Sequence, residues 1–141
     1  MSYLKIKSEH NLSAAEILIK NGLHAPSVHC SYYSSFQLSK FALKEFSGID
    51  YQKQEEEELN LLKQTKSGKI GTHDYVINRL GNEIRNCSKE AYLTFTNNIK
   101  ELKKFRVESD YDNITVTSEQ STKSFRLSTE LVQLLKLNCH L

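Results

Sequence analysis

His73, in the stretch Gly-Thr-His-Asp-Tyr-Val, and Arg106, in Phe-Arg-Val-Glu-Ser-Asp-Tyr-Asp, are the side chains of this 141-residue chain whose type and setting first raise the question of chemistry. An imidazole changes charge near neutral pH and can act as general acid or base. A guanidinium is a permanent planar cation that pairs with carboxylates or phosphates through a fork of donors. Each also has a structural account. His73 falls in the first turn of an expected helix, on its apolar side, where a neutral, hydrogen-bonded histidine belongs to the core or to a cap. Arg106 continues an apolar stripe and needs a carboxylate; Glu108, Asp110 and Asp112 are within short reach. That reading makes the segment a clamp closing the turn before the last helix, and the alternative turns Arg106 toward a phosphate or nucleotide.

The other polar groups form weaker patterns. His10, His24, His29 and His140 have no fixed spacing to an acid or nucleophile. Cys30, Cys87 and Cys139 are odd in number, far apart and in no CxxC arrangement, so neither a disulfide framework nor a zinc site is expected. Glu55 to Glu58 read as an exposed acidic face, because nothing nearby supplies convergent metal ligands. No metal and no cofactor is expected. A net charge of +2 falls far short of the strongly basic composition that would by itself mark a nucleic-acid binder. The polar start of the chain and the lack of an apolar run of about 20 residues argue against a signal peptide and a membrane span, so a cytoplasmic location is expected.

The elements that must hold these groups are helical. One proline, five glycines and recurring apolar spacing of three and four residues leave only Asn113–Thr117 with strand-like alternation. A first helix is expected over 8–20, with Ser8 or Ser13 as cap and a capping-box spacing from Ser13 to Glu16. Asn21-Gly22 stops it. Pro26 opens a second helix to about Phe46, ended by Ser47-Gly48. Residues 49–71 read as a polar acidic loop, with partial helix as the alternative. A third helix runs from an N-cap at Thr72 to about Asn86, with His73, Val76, Leu80, Ile84 and Cys87 on one face. Ser88 caps a fourth with the stripe Tyr92, Phe95, Ile99, Leu102. After a loop over 106–117, Ser118 opens a last helix with Leu127, Leu131, Leu134 and Leu135 inward. The expected fold is all-α: a single domain over 1–141 forming an antiparallel, up-and-down bundle of four to five helices.

The second helix is unusual in carrying serines where leucines would be ordinary. A 100° step places Val28, Ser31, Tyr32, Ser35, Phe36, Ser39, Leu43 and Phe46 in one broad arc. Small side chains there let neighbouring helices approach, and each hydroxyl can bond back to a carbonyl one turn earlier. Cys30 and Phe41 form a separate apolar flank, and Tyr33 lies on the opposite face. Either the first helix or a second chain must cover that flank, so Cys30, Tyr33 and Phe41 are the candidate binding or dimer seam.

The ordered set of Gly22, Ser-Tyr-Tyr-Ser-Ser-Phe at 31–36 with Leu-Ser-Lys-Phe-Ala-Leu-Lys-Glu-Phe after it, Gly-Thr-His-Asp-Tyr-Val at 71–76 and Phe-Arg-Val-Glu-Ser-Asp-Tyr-Asp at 105–112 resembles the HEPN family. That family comprises small helical domains of prokaryotic toxin–antitoxin and defence modules, and the resemblance spans about residues 8–137. It maps Tyr32 and Phe36 onto the family's Tyr-Tyr-Ala-x-Phe helix, and Arg106, Asp110 and Tyr111 onto its Arg-x-x-Ala-Asp-Tyr-Asp turn. Cys30 stands where an arginine is common, and serines replace alanines.

Many family members are ribonucleases with an Arg-Asn-x-x-x-His motif at a dimer seam. This chain has no Arg-x4-His; the nearest string, Arg85 to Tyr92, puts Glu90 in the histidine's place. The resemblance therefore implies a non-catalytic interaction module, a homodimer that partners a minimal nucleotidyltransferase protein in a toxin–antitoxin or defence system. The alternative it leaves is a metal-independent ribonuclease toxin built from Arg85, Asn86 and Glu90, or from His73 and Arg106 across a dimer. A stand-alone RNA- or nucleotide-binding domain is a second alternative, disfavoured by the modest charge.

Overall fold

The structure, a computed structural model, describes residues 2–65 and 71–141. Six helices follow one another: α1 (Tyr3–Lys20), α2 (His24–Glu45), α3 (Tyr51–Gln64), α4 (Thr72–Cys87), α5 (Lys89–Tyr111) and α6 (Ser118–Asn138). The described residues contain no strand. Asn113–Thr117 is irregular, since a lone β-branched run has no second strand with which to share backbone hydrogen bonds.

α1 begins earlier than expected and takes in both serines read as caps. Ser8 lies buried mid-helix and Ser13 is exposed on it, so the spacing from Ser13 to Glu16 caps nothing. The end falls where Asn21-Gly22 places it: Gly22, at φ +71°, donates to Ile19 O and Leu23 N–H donates to Leu18 O. This is the paired closure that a left-handed glycine permits. Gly48, also at φ +71°, follows the end of α2.

Over 49–71 the loop reading is corrected and the helical alternative holds over most of the stretch: Tyr51–Gln64 is α3, and residues 66–70 lie outside the described residues. Asp50 caps the helix by accepting from Lys53 N–H at 2.8 Å. Buried Gln54 ties it down by donating to Ile49 O at 2.8 Å. Glu57 and Glu58 turn toward α4: Glu57 accepts from the Tyr75 hydroxyl, and Glu58 from Thr72 Oγ1 at 2.7 Å. The loop expected over 106–117 is likewise shortened, because α5 continues to Tyr111 and places Arg106 within it. α4 is preceded by Gly71, which is its N-cap in place of Thr72, and its Cys87 is exposed while Tyr75 and Ile77 are buried.

Helix directions follow from the cross-contacts. Ser8 with Ser34 and Ala15 with Ser27 set α1 antiparallel to α2; Asp74 with Lys103 and Gly81 with Tyr92 do the same for α4 and α5. His24 with Ser121 and Ser31 with Ser128 run α6 parallel to α2. α2 is the central rod, packed by α1, α4, α5 and α6. The apolar core joins Tyr32, Leu38 and Leu43 of α2 to Leu80 and Ile84 of α4, to Phe95, Ile99 and Leu102 of α5, and to Leu131 and Leu135 of α6.

The serines lie where the 100° step places them, but their bonding differs. Only Ser39 bonds back one turn within α2, to Ser35 O at 2.7 Å. Ser34 and Ser8 exchange bonds, each hydroxyl donating to the other's carbonyl at 2.8 and 2.6 Å. Ser27 donates to Ala15 O, Ser128 to Ser31 O, and Ser35 is bonded to Ser128. Side chains this short bring helices close enough for hydroxyls to reach the neighbouring backbone, so the bonds go between helices.

Candidate functional site

His73 and Arg106 meet the tyrosine pair at the junction of α2, α4 and α5. Tyr32, fully buried, is hydrogen-bonded to His73 Nδ1 at 2.7 Å. The imidazole stacks on Phe36, with ring centroids 4.1 Å apart and planes 17° from parallel. The Arg106 guanidinium lies over Tyr32 at 5.1 Å and Tyr33 at 5.6 Å, with Tyr111 at 6.0 Å. These are cation–π distances. α5 runs antiparallel to α2, so Arg106 comes opposite Tyr32, and Asp110 opposite His29 one turn further along.

The carboxylate expected for Arg106 is Asp110, but not as a clamp across a turn. Both residues are on α5, four apart, and Asp110 Oδ2 is 3.6 Å from Nη1. The same oxygen accepts from His29 Nδ1 at 2.9 Å. Asp110 therefore ties α5 to α2, joined by Ser109 Oγ, which donates to Ala25 O at 3.1 Å. Asp74 pairs with Lys103 at 2.5 Å and joins α4 to α5.

Burial acts on the titration of two members of the cluster, His73 and Tyr32. Burial, with Arg106 and Lys103 adding to it, pulls His73 below its usual value of 6.5, against a partial opposing pull from Asp74. The imidazole is thus neutral at pH 7. Burial also pushes the Tyr32 phenol well above its ordinary value, so no phenolate is available. Burial raises the Cys30 thiol and takes Cys139 up to about 11, leaving neither as a reactive thiolate.

Arg85, Asn86 and Glu90 lie elsewhere, exposed at the junction of α4 and α5. Ser88 stands between them as the cap of α5, accepting from Ala91 N–H. Arg85 sits over the Tyr92 ring at 5.6 Å. The flank of α2 holding Cys30 is covered in part by the chain itself: Ser27 and Ser34, on either side of it, both bond to α1, while Cys30, Tyr33 and Phe41 are each half-buried, the last two against the core.

His29 is the residue that spacing along the chain did not single out, because its carboxylate comes from Asp110, remote in sequence. Its position four residues before Tyr33, on the same helix face, was the available signal, and the two rings lie 4.6 Å apart. Among the described residues no group of three or more His, Cys, Asp or Glu side chains is placed to hold a metal, and no helix is long and apolar enough to cross a membrane. Set against family models, curated proteins and solved structures, the chain has no significant match.

Proposed function

We propose that the chain is a non-catalytic interaction module of the HEPN kind, whose partner is a minimal nucleotidyltransferase protein in a toxin–antitoxin or defence system. The observation that carries this reading is the engagement of His73. Its Nδ1 is bonded to Tyr32, its ring is stacked on Phe36, and burial beside two cations keeps it neutral. Nδ1 is thereby taken up in joining α4 to α2, which supports a structural role. The Arg85 string offers no replacement, since an exposed carboxylate, Glu90, stands where the motif has its histidine.

The test is an RNA cleavage assay on the purified chain beside Arg85→Ala and Glu90→His. No cleavage by the native chain is expected, and co-expression with a nucleotidyltransferase from the neighbouring reading frame is expected to yield a stable complex. Cleavage abolished by Arg85→Ala would overturn the reading. A ribonuclease using His73 with Arg106 is the second reading, favoured by their both contacting Tyr32. It requires cleavage that His73→Asn removes.

A further inference from the structure

Arg106 has a need that its own chain leaves unmet. The residue is 8% exposed, its buried Nε has no hydrogen-bond partner, and among the described residues its one ion pair, to Asp110, is longer than a hydrogen bond. Removing a guanidinium from water is costly unless its donors are satisfied. The tyrosine faces satisfy its charge in part but accept none of its N–H groups in a directed bond.

The surroundings define what would complete it. Asp110 is held more closely by His29 than by Arg106, at 2.9 against 3.6 Å, so a second oxyanion can take the guanidinium while Asp110 stays on His29. Glu108 and Asp112 stand near Arg106 along the chain, but Lys103 and Lys104 stand on the preceding turn, so charge alone selects no partner. With only 8% of Arg106 open, there is room for one small singly charged group and not for a length of polyanionic backbone. Beside it Tyr111, whose ring is 6.0 Å from the guanidinium, is 74% exposed. Arginine with tyrosine is the composition that concentrates binding energy at the centre of protein interfaces.

We propose that Arg106 seats one carboxylate from an acidic side chain of the partner protein, with the exposed Tyr111 ring beside it. The proposal rests on the reading of the chain as a partner-binding module and names the chemistry of that contact. The planar carboxylate receives the guanidinium fork, and Asp110 remains the ligand of His29.

The experiment follows the arginine Nε–Hε signals of the full chain by NMR while sodium acetate is added, with sodium chloride at matched ionic strength as control and a single-stranded RNA oligonucleotide as a second arm. Acetate, and not chloride, is expected to shift the Arg106 signal saturably. Arg106→Lys keeps the charge and loses the fork; it should fold and bind acetate at least tenfold more weakly, read from the neighbouring Tyr111 signals. Asp110→Asn removes the competing carboxylate and should tighten acetate several-fold, a gain that a merely structural Asp110 would not produce. No saturable acetate shift in the folded chain, or a shift produced by RNA and not by acetate, would overturn the proposal. Acetate binding without a nucleotidyltransferase complex would uphold the seat and sink only the partner's assignment. An intact complex with no acetate shift would sink the seat alone.

Discussion

At the scale of single residues, the buried serines do two different jobs. Ser34 donates to Ser8 O, a carbonyl inside α1 that keeps its own helical partner, so Ser34→Ala removes one buried inter-helix bond; a loss of about 0.5–1.5 kcal/mol is expected. Ser31 Oγ is buried with no partner, and Ser31→Ala removes a desolvated hydroxyl at the cost of no bond. That variant should match the native chain or exceed it by about 1 kcal/mol. Urea midpoints of the two variants separate these cases, and equal losses would show that the seam works by packing alone. His73 supplies a pH dependence. Its folded-state value lies below 6.5, so the unfolded chain takes up that proton first as pH falls. Stability is unaffected by this group well above pH 6.5 and declines as pH drops through 6.5 toward the lower folded-state value. Melting temperatures across that window should fall less steeply in His73→Asn than in the native chain.

At the scale of elements, α6 and α4 offer opposed tests. Thr117 accepts from Gln120 N–H at 3.1 Å while the Gln120 side chain accepts from Thr117 N–H at 2.9 Å, a reciprocal cap. Thr117→Ala should cost about 0.5–2 kcal/mol. Gly81 lies inside α4, and a Cβ there would meet Tyr92 at 3.4 Å, an ordinary contact. Gly81→Ala should therefore stabilise the protein by up to about 1 kcal/mol through helix propensity. Chemical denaturation of each variant checks both signs; a destabilised Gly81→Ala would mean that Tyr92, which also carries Arg85, has no freedom to adjust.

At the scale of the whole molecule, α2 is gripped by four helices of its own chain, including α1 along the flank that was the reason to invoke a second copy. The homodimer remains a proposal resting on the family resemblance. Light scattering at micromolar concentration should then give twice the 16.3 kDa of one chain, and a mass of one chain would exclude self-association as part of the function. The carboxylate seat at Arg106 is independent of that result, because α2, α4 and α5 of one chain assemble it.

All-helical architecture, the stop at Gly22, the cap at Ser88 and the core stripe Phe95, Ile99, Leu102 were legible in the sequence, because each depends on contacts within a few residues. So was the prominence of Tyr32 and Arg106 as single positions. That they form one cluster was not, nor that Asp110 answers to His29 across 81 residues. The extent of the helix over Tyr51–Gln64 and the continuation of α5 up to Tyr111 also escaped, since polar helices show little apolar periodicity and gain stability from partners such as Tyr75 and His29. Periodicity assigns a side chain to a face of its own helix. Which faces meet, which hydroxyls reach a neighbouring backbone and which cation is left without an acceptor are decided only when the helices pack.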